Sequence, residues 1–120
     1  MADITSIDFW EYGELSPISN FLLSLIEKDQ VQITKKNETF AQKSVQQLCM
    51  LEDLKKIKGT ERPALYELKY RMKNPYRAIC LRTGENDLLV LEMFKGSGSD
   101  GEVERHIPTA KKRLGIWQNK

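Results

Sequence analysis

The stretch Leu65–Arg82, LYELKYRMKNPYRAICLR, constrains the fold more than any other part of the chain. Its first half alternates: Tyr66, Leu68, Tyr70 and Met72 fall on one side of an extended chain, and Glu67, Lys69 and Arg71 on the other. Lys73-Asn74-Pro75 interrupts the pattern, because proline cannot donate to a strand ladder and asparagine favours a turn. Tyr76–Arg82 forms the second strand, with Arg77 near its start. Strands joined by so short a link pair antiparallel, since a parallel pair needs a long crossover. A sheet face carrying several fixed cations, with aromatic groups nearby, suits a polyanion, and RNA is the expected ligand class.

The flanking segments supply the other elements. Residues 4–12, ITSIDFWEY, alternate as a first strand, which Gly13 ends. Ser16-Pro17 opens a helix, with serine as cap and proline at the first helical position. Its apolar stripe is Ile18, Phe21, Leu22, Leu25 and Ile26, and Lys28-Asp29-Gln30 closes it. A second helix is expected from about Asn37 to Leu54, with Val45, Leu48 and Leu51 in its stripe. Gly59 and Pro63 bracket a loop. Strands Ala64–Met72, Tyr76–Arg82 and Asp87–Phe94 follow, the last apolar on both faces, as suits a strand covered on both sides. Lys95–Gly101 is rich in glycine and serine, and a final helix begins near Glu102 or only at Pro108. The order β-α-α-β-β-β-α predicts an α+β fold in one domain over residues 1–120. An N-terminal strand and a helical hairpin pack on a mostly antiparallel four-stranded sheet, with a C-terminal helix.

Charge sharpens the ligand expectation. The formal net charge is only +2, but residues 1–50 hold four Lys/Arg against seven Asp/Glu, and residues 51–120 hold fifteen against ten. The basic chemistry therefore lies with the strands. No apolar run approaches the roughly 20 residues that span a bilayer, and the acidic start MADITSIDFWEY lacks the layout of a secretory signal. A cytoplasmic protein with no membrane association is expected. Cys49 and Cys80 read as core filling, and neither a metal nor a cofactor is expected. The single histidine, His106, reads as a surface group.

The block LKKIKGTERPALYELKYRMKNPYRAI, Leu54 to Ile79, resembles the RelE/ParE toxin superfamily, most closely its phage-derived Gp49-like, HigB-type branch. The pieces that carry the resemblance are Leu65-Tyr66-Glu67-Leu68-Lys69-Tyr70-Arg71 and the Tyr76-Arg77 pair. The resemblance implies a toxin that cleaves messenger RNA, in some members on the ribosome, and a helix-turn-helix antitoxin that blocks it. Lys69 matches a basic catalytic strand position, Arg71 lies just beyond it, and Arg77 matches the arginine of the Tyr-Arg pair. Lys95 lies near the family's final basic group. The chain departs from the branch after the last strand, where Met93-Phe94-Lys95 meets the glycine-serine loop. It departs again at Arg105-His106-Ile107-Pro108, where the family often has Arg-Glu-Ile-Glu.

Metal-independent RNA cleavage uses the 2′-hydroxyl to attack the adjacent phosphate, so a protein must align the reacting atoms and stabilise added negative charge. Arg77 and Arg71 suit the phosphate oxygens, because a guanidinium fork meets two of them together. Lys69 is the candidate base, with neighbouring cations favouring its neutral form. Lys73, Tyr76, Lys95 and Arg105 are the candidate RNA contacts, and Tyr70, on the other face from Lys69, is expected in the core. The diluted C-terminal charge supports an alternative, a non-catalytic module that binds a protein partner such as an antitoxin or DNA gyrase.

Overall fold

The computed structural model describes residues 4–97 and 100–119. The elements are β1 (Ser6–Phe9), α1 (Pro17–Leu23), α2 (Glu27–Phe40), α3 (Val45–Met50), β2 (Leu54–Lys56), β3 (Leu65–Tyr70), β4 (Tyr76–Gly84), β5 (Asp87–Lys95) and α4 (Asp100–Gln118). The strands form one sheet in the order β1-β5-β4-β3-β2. β2 to β5 run as an antiparallel meander, and β1 joins β5 in parallel at the opposite edge. The expected α+β architecture is present, with five strands instead of four. The extra strand, β2, is only three residues long.

The N-terminal helices also differ from expectation. α1 stops at Leu23, and Lys28-Asp29-Gln30 lies inside the first half of α2. Glu27 and Asp29 place negative charge in the first turn of α2, where the free backbone N–H groups favour it. The expected helix from Asn37 to Leu54 is two helices. They divide at Ser44, whose hydroxyl accepts from the Gln47 backbone N–H while Gln47 Oε1 accepts from the Ser44 N–H. Helix α4 starts at Asp100 and carries Pro108 in its interior.

The sheet separates two apolar clusters. On one face Leu68, Tyr70, Tyr76, Ala78, Cys80, Leu88 and Val90 pack with Ile18 of α1, Ile33 and Phe40 of α2, and Val45 and Leu48 of α3. On the other, Leu65, Ile79, Leu81, Leu89, Leu91 and Phe94 pack with Trp10 and with Val103, Ala110 and Leu114 of α4. The expected double covering of the last strand is met. A β-bulge adds a device that alternation does not show. Ile79 pairs with Glu92 but Cys80 with Val90, so Leu91 is the extra residue. The slip turns both Leu91 and Glu92 toward α4 and carries Phe94 to the same side.

Candidate functional site

The face beneath α4 is apolar at its centre and charged toward the end of the sheet where β3 turns into β4. Register places Lys69, Arg77 and Phe94 in one row across three strands, and Glu67, Ile79 and Glu92 in the next. Directly opposed residues share a face, so the sheet does bring Lys69 and Arg77 together. Arg77 is only 9% exposed. Its Nε lies 3.1 Å from Glu67 Oε2, an ion pair in which neither atom gains a hydrogen bond. Its Nη2 donates to the Ser97 carbonyl and its Nη1 to that of Tyr76. Lys69 is half-buried, its backbone N–H donates to the Asp53 carbonyl, and its ammonium has no ion-pair partner among the described residues.

Arg71 does not join this pair. It lies past the end of β3, where Nη1 meets Asp53 Oδ1 at 2.7 Å and Nη2 donates to the Glu52 carbonyl. There it lines a cleft with Gln32, Lys35, Lys36 and Thr39 of α2 and with Met72. The three candidate catalytic cations, placed on one face by alternation, are therefore divided into a Lys69–Arg77 pair and a separate, carboxylate-bound Arg71. Arg71 and Arg77 are each paired to a carboxylate, Asp53 and Glu67 respectively.

The expected RNA contacts also separate. Tyr76 is 2% exposed and its hydroxyl donates to the buried Asp29 carboxylate at 2.7 Å, so its ring is core and cannot stack on a base. Burial, with the adjacent Asp29 carboxylate, pushes this phenol up to about 12. Tyr70 is core as expected, its hydroxyl donating to Asn37 Oδ1, and burial raises its pKa further still. Lys95 pairs with Tyr76 and so belongs to the opposite face from Lys69. Lys73 is exposed in the β3–β4 turn, and Arg105 is exposed on α4.

The chain matches no family model, no curated protein and no solved structure. The case for a function therefore rests on the geometry of its own residues.

Sequence reasoning passed over a polar cleft beside the Lys69–Arg77 pair. Its volume is about 350 Å³, and it lies between the β2–β3 edge of the sheet and α4. Lys55, Lys56, Ile57 and Lys58 line it on the sheet-edge side, Val103, Glu104 and Ile107 on the α4 side, with Glu67 of β3 between them; Lys55, opposite Glu67, shares this face, whereas Lys56, opposite Tyr66, directs its side chain to the other. The alternation of Glu67 with Lys69 and Arg71 was the available signal, because it placed a carboxylate among the cations of one face. A second unforeseen group lies nearby. His106 stacks on Phe94 with ring centroids 4.0 Å apart, and its Nδ1 is 3.1 Å from Glu92 Oε2. The other oxygen of Glu92 meets Arg113 Nη1 at 3.2 Å, and that guanidinium lies over the Trp10 ring. His106 is thus a half-buried link between α4 and β5, not a free surface group.

Cys80 is buried, whereas Cys49 is exposed on α3, which corrects the expectation that both fill the core. Among the described residues no three His, Cys, Asp or Glu side chains are placed to hold a metal ion, and no helix is long and apolar enough to cross a membrane.

Proposed function

We infer that this protein is a toxin of the RelE/ParE type, a metal-independent endoribonuclease acting on messenger RNA in the cytoplasm and restrained by a helix-turn-helix antitoxin. The observation that carries the reading is the Lys69 ammonium, without an ion-pair partner among the described residues, held opposite Arg77 beside a cleft whose lining includes further lysines. In this reaction the 2′-hydroxyl attacks the neighbouring phosphorus and loses its proton. The bond to the 5′-oxygen breaks, and that oxygen takes up a proton. Lys69 stabilises the charge that builds on the phosphate oxygens. Arg77 fixes Glu67 and the end of the sheet around it, and Arg71 lies outside the reacting centre.

Induction of the protein without its antitoxin then arrests growth and fragments messenger RNA. Lys69→Ala relieves the arrest while leaving the circular dichroism spectrum intact, and Arg71→Ala retains it. Full toxicity in Lys69→Ala, or no RNA fragmentation by the wild type, overturns the proposal. A second reading, a partner-binding module without catalysis, is favoured by one observation: Glu67 and Asp53 neutralise two of the three expected catalytic cations. Intact RNA after incubation both with free RNA and with translating ribosomes, together with retained antitoxin binding, selects this reading.

A further inference from the structure

β1 is a terminal strand of the sheet and pairs only with β5. The Ser6 N–H donates to the Asn86 carbonyl and the Trp10 N–H to that of Val90, so the even-numbered residues of this strand bond toward β5. The N–H and C=O groups of Ile7 and Phe9 therefore point to the open edge, and no described residue bonds to them. Thr5, on the same side, is already closed: its N–H and its hydroxyl both donate to the Lys43 carbonyl. Beside the open stretch lies a groove of about 450 Å³ between β1 and α2. Ile7, Phe9, Leu22, Ile33 and Ala41 supply its apolar wall, and the exposed Glu38 is the one charged residue of its lining. The other face of the edge is also anionic. Asp8, opposite Leu89, is exposed on the α4 side, and Asp87 of β5 is its exposed diagonal neighbour. Neither Asp8, Asp87 nor Glu38 makes an ion pair with a described residue.

We propose that the β1 edge and its groove bind an extended segment of another protein, in which apolar side chains alternate with basic ones. An unpaired edge strand is a template for one more strand, and strand addition takes its affinity from main-chain hydrogen bonds and its selectivity from alternate side chains. Side chains opposite Ile7 and Phe9 share their face and meet the groove beside them. The side chains between these lie on the face of Asp8 and Asp87, where lysine or arginine finds two carboxylates without a partner. The same charge argues against a second copy of this chain as the occupant. The antiparallel register that uses Ile7 and Phe9 of both copies sets Asp8 against Asp8, and like charges directly opposed are destabilising. The surface lies at the opposite edge of the sheet from β2 and β3, and the inference stands apart from the cleavage reading.

Two short synthetic peptides, one alternating lysine with valine and the other glutamate with valine, test it by calorimetric titration and by amide NMR of the full chain. The lysine peptide binds at least about tenfold more tightly than the glutamate peptide, and hydrogen exchange at the Ile7 and Phe9 amides slows on binding. Methylating the valine nitrogens strips N–H groups from one edge of the lysine peptide, and methylating the lysine nitrogens strips them from the other. The form stripped on the edge that faces β1 binds at least about tenfold more weakly than its counterpart. Asp8→Lys, a change at an exposed side chain, reverses the preference between the lysine and glutamate peptides. The methylated peptides need no variant, so misfolding of Asp8→Lys leaves the test intact. Equal binding of the two peptides, equal binding of the two methylated forms, an unchanged ranking in folded Asp8→Lys, or no binding at all overturns the proposal. A free protein that sediments as a dimer with its Ile7 and Phe9 amides protected also overturns it, and assigns the edge to a second copy.

Discussion

Replacing Arg77 by methionine probes the charged row beneath α4. Arg77 and Glu67 are each 9% exposed, lie 3.1 Å apart, and share no hydrogen bond through the facing atoms. Removing one partner of such a pair leaves a buried, uncompensated charge, which costs about 3–5 kcal/mol. Replacing both with apolar residues of similar size removes the desolvation penalty with the attraction and is often neutral or stabilising. Arg77→Met and Glu67→Leu should therefore each cost about 3 kcal/mol or more, and Glu67→Leu/Arg77→Met should return to within about 1 kcal/mol of the wild type. With a urea slope of roughly 1.5 kcal/mol/M, each single variant lowers the unfolding midpoint by about 2 M. Trp10 in the α4-side cluster and Trp117 packed against it give the fluorescence signal for the urea titration. Single variants that lose less than about 1 kcal/mol and add without coupling would refute the reasoning, because they would mean that water reaches the pair.

Three further outcomes follow from the same geometry. The Tyr76 phenol has a folded pKa of about 12, above the roughly 10 of an unfolded tyrosine, so the unfolded state ionises first; stability is full below about pH 10 and falls as pH rises through 12, read from urea midpoints across that range. Cys49 is exposed and Cys80 fully buried, so a thiol reagent should modify one cysteine in the native protein and the second only after denaturant is added; rapid native labelling of both contradicts the packing around Cys80. Ser44→Ala removes the hydroxyl of the capping box at α3 and should cost about 1 kcal/mol in a urea titration, whereas Ser24→Ala, at the exposed end of α1, should cost less.

The strands of the second half were legible because period-two alternation coincides with burial there. Tyr76–Arg82 and the doubly apolar Asp87–Phe94 each lie within an observed strand, and the expected Ala64–Met72 overruns β3, Leu65–Tyr70, by one residue at its start and two at its end. β2 was not legible, since Leu54-Lys55-Lys56 is too short to show a period and owes its extended form to pairing with β3. The helix boundary at Ser44 could have been read from the Ser-x-x-Gln pattern, but continuous helical spacing on both sides concealed it. In the site, register was within reach of the sequence and pairing was not. Lys69 and Arg77 face one another as the hairpin requires. The capture of Arg71 by Asp53 depends on where the chain enters β2, and the bulge that carries Glu92 and Phe94 toward α4 has no local signature.

The parallel pairing of β1 with β5 joins Ser6–Phe9 to Asp87–Val90, residues about eighty positions apart. The meander from β2 to β5 closes through neighbouring turns and can assemble as soon as it is synthesised, but the first strand has no partner until nearly all of it has emerged. During synthesis this segment, with Ile7, Phe9 and Trp10, stays open to other contacts. A nascent chain halted before Asp87 would expose that segment permanently.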